Sequence, residues 1–128
     1  MSRAETRSAL GRALGLGSAK GGTEDWWLQR VSAVALVPLT VWFVASIVAH
    51  TGDDYAALMA WLKTPATTTL MTLLLIALFY HTALGLQVVI EDYVHSGLKI
   101  PLLVGMRLSC FALAAVGILA TLKIAFGG

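Results

Sequence analysis

Charged side chains are scarce in this sequence of 128 residues, where Asp, Glu, Lys and Arg together make up 12%. Soluble domains carry about 25% charged residues, so the composition argues against a water-soluble enzyme with a closed core of its own. The hydrophobic fraction of 58% excludes disorder, because disordered chains combine low hydrophobicity with high net charge. A net charge of +2 is too small to indicate nucleic-acid binding, and a single cysteine, Cys110, excludes an internal disulfide and a cysteine-based zinc site.

The sequence contains three long apolar stretches, at about residues 31–49, 70–90 and 100–126. The hydrocarbon core of a bilayer needs about 20 helical residues to cross it, and lipid requires every backbone polar group to be satisfied within the segment. We therefore predict an all-α integral membrane protein whose three transmembrane helices lie in a domain over residues 26–128. Pro65 and Pro101 stand where the second and third helices should begin, since a first helical turn tolerates a missing N–H.

Residues 1–25 are rich in Gly, Ser, Ala and Arg and predict an amino-terminal arm outside the membrane. No apolar run of about seven residues follows the early arginines, which argues against a cleaved signal peptide. With a cytoplasmic amino terminus, seven of the nine basic residues lie on the inner side, and only Lys63 and Lys123 lie outside. The positive-inside rule therefore predicts that the arm and the loop over residues 91–99 face the cytoplasm.

The second predicted span contains no Asp, Glu, Lys or Arg, and His81 is its one histidine. An ionisable side chain at that depth is costly and indicates a functional site. One interpretation is a neutral histidine that is hydrogen-bonded to a neighbouring helix; the other is an axial ligand of haem iron, for which a neutral imidazole is suited. Gly85 lies one turn later on the same helix face and leaves room for a flat macrocycle beside the imidazole.

Asp92 and Tyr93 follow at the cytoplasmic end of the same helix. Eleven residues at 100° each return Asp92 almost to the face of His81, about 16 Å further along the axis. A carboxylate can relay protons, and a phenol can donate a hydrogen bond to a carbonyl oxygen. The alternative for Tyr93 is an interfacial anchor of the kind found in aromatic belts.

Arg30 opens the first span on the same side. It is either an anchor that extends to the lipid headgroups or the partner of a buried carboxylate such as a haem propionate. Arg107 is expected to be an anchor or a contact to lipid phosphate. His50 and His95 are predicted at opposite membrane surfaces, about 30 Å apart, so they cannot share one small cofactor.

The run over residues 81–95, HTALGLQVVIEDYVH, closely resembles the signature of the small hydrophobic membrane-anchor subunit of succinate dehydrogenase, respiratory complex II. That family has a His, a Gly four residues later, a nearby Gln-Val, and Asp-Tyr eleven and twelve residues after the His. The Asp-Tyr-Val-His ending resembles the mitochondrial versions and indicates an alphaproteobacterial-type protein. Arg30 and Arg107 also fit the family, and the resemblance covers about residues 24–126.

The resemblance implies specific roles for these residues. His81 is expected to be one axial ligand of haem b, which is shared with a partner, the cytochrome b anchor subunit, that supplies the second ligand. Tyr93 is expected to hydrogen-bond ubiquinone, with Asp92 supporting Tyr93 or proton delivery. Arg30 is expected to face the haem propionates, and Gly85 to pack against the macrocycle.

The resemblance also implies a place in a larger assembly. The chain contains no flavin motif, no iron–sulfur cysteine set and no dicarboxylate site, so it cannot oxidise succinate alone. It is expected in the bacterial inner membrane with an iron–sulfur subunit and a flavoprotein subunit, passing electrons to ubiquinone in the tricarboxylic acid cycle and the respiratory chain.

Two alternatives share parts of this pattern. A fumarate reductase-type anchor would have the same three helices and quinone chemistry, with electrons flowing the other way. A non-catalytic structural or transport subunit would need polar residues on several helices, and the middles of the first and third spans offer almost none.

Overall fold

The structure, a computed structural model, describes residues 17–127, with side chains described from residue 23. This range contains four helices and no strand: α1 (Gly17–Ala49), α2 (Tyr55–Leu62), α3 (Pro65–Tyr93) and α4 (Lys99–Phe126). Three of them are long and apolar enough to cross a membrane, over Thr23–Ala49, Pro65–Tyr93 and Lys99–Phe126, with mean hydropathies of 2.3, 2.1 and 2.1. The predicted all-α architecture with three membrane spans is confirmed.

The helix starts have local causes. Thr64 caps α3 by accepting a hydrogen bond from the Thr67 N–H, and Pro65 occupies the first turn, as predicted. Pro101 likewise lies in the first turn of α4. The loop after α1 contains α2, a helix that the sequence analysis did not predict; the Asp54 carboxylate caps it by accepting from the Ala57 N–H at 2.8 Å.

Helix α1 begins well before the predicted span. Residues 17–25, which the sequence analysis placed in the arm, are its first turns, and residues 1–16 of that arm lie outside the described part of the chain. Because a helix forms its backbone hydrogen bonds internally in water as well as in lipid, α1 can extend beyond the apolar stretch from which it was predicted. Within α3, the hydroxyls of Thr69 and Thr72 donate to carbonyls four residues back, which satisfies them without water.

Helix α3 lies between α1 and α4, and antiparallel to both. Across the described residues α1 and α4 do not pack against each other, so the long helices form a row rather than a closed bundle. The approach of α4 to α3 is close at Gly117, where a Cβ would lie 3.1 Å from a Leu75 methyl group. The last turn of α3 and the first turns of α1 and α4 therefore share one end, called here the Tyr93 end.

Very little of the chain is buried within itself. Between residues 23 and 127 only Ser32, Thr67, Leu74 and Cys110 are buried. Helix α1 instead exposes one stripe of valines spaced three or four residues apart, Val31, Val34, Val37, Val41, Val44 and Val48. Such a face is suited to lipid tails or to the helices of another membrane subunit.

Candidate functional site

The central histidine is fixed by a contact between two helices. His81 Nδ1 on α3 lies 3.0 Å from Ser32 Oγ on α1, across 49 residues of sequence. Ser32 is only 6% exposed, and its hydroxyl also donates to the Gln29 carbonyl oxygen at 2.9 Å. His81 is half-buried. Ser32 was not identified from the sequence, where it is one of three small hydroxyl side chains in the first span, with Thr40 and Ser46.

His81 and Arg30 line the same hollow. Its walls are Trp26, Gln29, Arg30, Ala33 and His81, and its volume is about 360 Å³. The Arg30 guanidinium carbon lies 5.0 Å from the centre of a Trp26 ring, a cation–π distance that holds the charge beside the hollow. Two of the predicted site residues are therefore brought together, and Trp26 lies beside both.

Gly85 lies one turn beyond His81 on the face of α3 that is turned to α1. A Cβ at this position would meet a single neighbouring atom, Gln29 Nε2, at 3.9 Å, which is ordinary van der Waals contact. Nothing in the described chain therefore requires glycine here, and its backbone is helical. The space beside it is open to a group from outside the chain.

This chain offers one metal ligand at the site rather than a set. Across residues 23–127 no three His, Cys, Asp or Glu side chains are close enough together to hold an ion. A single imidazole matches haem, where the macrocycle supplies four ligands and the protein supplies one or two.

Tyr93 and Asp92 lie at the end of α3, away from His81. Twelve residues from His81 correspond to about 18 Å along the helix axis. Tyr93 is 79% exposed, and its hydroxyl makes no hydrogen bond to any described residue, which leaves it available to a partner or ligand. Asp92 is exposed beside it. The structure thus separates a mid-span position at His81 from a surface position at Tyr93.

A polar chain near the Tyr93 end was not predicted. Arg107 Nη2 on α4 donates to Gln87 Oε1 on α3 at 2.6 Å, and Gln87 Nε2 donates to Glu91 Oε1 at 3.1 Å. Arg107, which was expected to be an anchor, thus also joins two helices. Gln87 and Arg107 line a cleft of about 510 Å³ that lies mainly between α3 and α4. Its other walls include Phe79 of α3 and Asp25 of α1.

The remaining histidines lie away from this site. His50 Nδ1 is 2.7 Å from Asp53 Oδ2, and its ring stacks on Trp61 with 4.3 Å between centroids, at the end opposite Tyr93. His95 is exposed in the loop after α3. Neither one contributes to the hollow at His81.

Comparison with known proteins agrees with this layout. Residues 4–124 match the family described as succinate dehydrogenase/fumarate reductase transmembrane subunit. A succinate dehydrogenase hydrophobic membrane anchor subunit of Rickettsia bellii is 36% identical over 88 residues, covering 69% of this chain and 70% of the relative. Proteins of the same description from Rickettsia conorii and Paracoccus denitrificans are 32% and 30% identical, covering 81% and 90% of this chain and 84% and 89% of theirs.

Proposed function

The chain belongs to the family of succinate dehydrogenase/fumarate reductase transmembrane subunits, as a hydrophobic membrane anchor subunit of succinate dehydrogenase, and on this premise we propose that it supplies an axial ligand to haem b and part of the ubiquinone-reduction site. The observation that carries the proposal is the His81 imidazole, which is held at one nitrogen by Ser32 and lines a hollow shared with Arg30. That arrangement leaves Nε2 as the nitrogen that can bind iron.

The residues in and next to the hollow fit a haem in three respects. Arg30 is a cation that can pair with propionate, for which a guanidinium has matching geometry. Gly85 leaves the helix face open one turn from His81, where the only close atom would be the side-chain nitrogen of Gln29. When bound, haem b supplies a one-electron redox centre. His81 is the one histidine that lines the hollow among the described residues, and a haem shared with a partner subunit would need one such ligand from this chain.

Tyr93 and Asp92 are proposed to serve the quinone rather than the haem. Ubiquinone reduction consumes two electrons and two protons, so the site must be reached both by a lipid-soluble quinone and by protons from water. An exposed phenol at the end of a membrane-spanning helix meets both conditions. The Tyr93 hydroxyl donates a hydrogen bond to a quinone carbonyl, and Asp92 supports that tyrosine or delivers protons.

The proposed assembly follows from the same premise. The chain sits in the bacterial inner membrane with its amino terminus cytoplasmic, as the distribution of seven against two basic residues favours. Its partners are a cytochrome b anchor subunit, an iron–sulfur subunit that delivers electrons at the Tyr93 end, and a flavoprotein. The shortage of buried residues between residues 23 and 127 supports a requirement for helices from another subunit.

Purification of the intact complex in mild detergent through a tag on this chain tests the proposal. We expect the flavoprotein, the iron–sulfur subunit and a second membrane subunit to accompany it, with a b-type spectrum on reduction and succinate:ubiquinone activity. A complex without haem would contradict the ligand proposal. Much faster fumarate reduction than succinate oxidation would instead favour a fumarate reductase-type anchor.

A further inference from the structure

We infer that Ser32 is a positioning residue for His81: it accepts a hydrogen bond from Nδ1–H and thereby keeps the lone pair of the imidazole on Nε2. The inference rests on the proposed function, in which His81 binds haem iron through Nε2. It assigns a role to a side chain on α1 that the sequence motif on α3 does not contain.

The direction of the two hydrogen bonds of Ser32 determines which nitrogen of His81 carries the proton. Ser32 Oγ lies 2.9 Å from the Gln29 carbonyl oxygen, which can only accept, and 3.0 Å from His81 Nδ1. A serine hydroxyl has one proton, and that proton is used toward Gln29. Ser32 can then only accept from His81, so Nδ1 carries the imidazole proton and Nε2 carries the lone pair.

The opposite arrangement is electrostatically unfavourable. If the Ser32 hydroxyl pointed at Nδ1, two oxygen atoms would lie 2.9 Å apart with no proton between them. The imidazole proton would then sit on Nε2 and block ligation there. Ser32 is 6% exposed, so water has little access to its hydroxyl, and low-dielectric surroundings strengthen its hydrogen bonds.

The bond also sets the geometry of the site. Ser32 and Arg30 are two residues apart on α1, whereas His81 is on α3. The hydrogen bond to Ser32 therefore fixes the rotation of the imidazole relative to the helix that carries Arg30. An acceptor on the second nitrogen of a ligating histidine also raises the basicity of the ligand, which favours ferric over ferrous iron. The wild-type midpoint potential should accordingly be lower than that of a variant without the acceptor.

The test uses the complete complex with Ser32→Ala, Ser32→Thr and Ser32→Cys. We expect Ser32→Ala to shift the haem midpoint potential upward and to change the electron paramagnetic resonance g values of the oxidised complex. Ser32→Thr, which retains the acceptor oxygen, should restore both quantities. Ser32→Cys should give an intermediate shift because sulfur is a weak acceptor, and it provides the readout if the alanine variant does not assemble. Ser46→Ala is the matched control on the same helix and should leave the potential unchanged.

The outcomes separate this inference from the proposed function. His81→Ala is measured in parallel. If His81→Ala leaves the haem spectrum unchanged, the ligand proposal fails and the role of Ser32 fails with it. If His81→Ala alters the haem but Ser32→Ala or Ser32→Cys matches wild type in both potential and g values, then only the Ser32 inference is overturned.

Discussion

Arg107 on α4 donates to Gln87 on α3 at 2.6 Å, six residues before Tyr93. The bond connects α4 to the last turns of α3, which lead to the proposed quinone contact at Tyr93. Gln87 in turn donates a hydrogen bond to Glu91 on the same helix. An arginine near the start of a membrane span thus contributes to the packing of two helices as well as to anchoring.

Loss of this hydrogen bond is expected to weaken the α3–α4 pairing. A hydrogen bond to a charged group contributes about 1.5–3 kcal/mol, and the exposure of Arg107 places this one at the lower end. Arg107→Leu and Gln87→Leu should each lower the thermal stability of the purified complex, and the double variant should be less destabilised than the sum of the two. Lys123→Leu on α4 is the control. Strictly additive effects would show that the two side chains do not interact.

Tyr93→Phe removes one hydroxyl and keeps the ring. A neutral hydrogen bond contributes about 0.5–1.5 kcal/mol, so succinate:ubiquinone turnover should fall about two- to tenfold. A larger loss is expected if charge develops on the quinone oxygen during reduction. Succinate oxidation with a soluble artificial acceptor, assembly and haem content should stay normal.

Tyr55→Phe is the matched control for Tyr93, since the two tyrosines are 77% and 79% exposed and lie at opposite ends of the helix row. It should leave quinone turnover unchanged. Equal turnover in Tyr93→Phe and wild type would leave Tyr93 as an interfacial anchor.

Gly85→Ala tests whether a macrocycle occupies the open helix face beside His81. The chain itself accommodates the methyl group, whose nearest neighbour would be Gln29 Nε2 at 3.9 Å. Lower haem content or an altered spectrum in an assembled complex would therefore report a group from outside the chain. Gly105→Ala, where nothing lies within 4 Å in this chain, is the control. A normal haem spectrum in Gly85→Ala would remove Gly85 from the site.

The long apolar runs of the sequence predict the membrane-spanning helices. A short helix, and a contact between residues that lie far apart in the sequence, could not be predicted in this way. Long apolar runs predict the three spans, and the end of α1 agrees with the predicted limit at residue 49. The start of α1 was missed because its first turns are not apolar. Helix α2 has only eight residues after its Asp54 cap, which is too few for a helical period of apolar residues to be recognised.

The same distinction applies to the site. His81 was identified because an imidazole in an apolar span is costly, and Arg30 because it opens the first span on the side where α3 ends. Ser32 was not identified, because a serine causes little penalty in a helix and its partner is 49 residues away. The pairing of Arg107 with Gln87 was missed for the same reason, since only the packing of α4 on α3 brings them together.

The most direct test of the account is the haem spectrum of the purified complex with His81→Ala. We predict loss or a clear shift of the b-type optical bands and of the low-spin resonance signal, because one axial ligand is removed. Quinone reduction should survive in part, since electrons that arrive at the Tyr93 end need not pass a haem at mid-span. His50→Ala and His95→Ala, which change the other two histidines of the chain, should leave the spectrum as in wild type. An unchanged low-spin spectrum in His81→Ala would contradict the central claim.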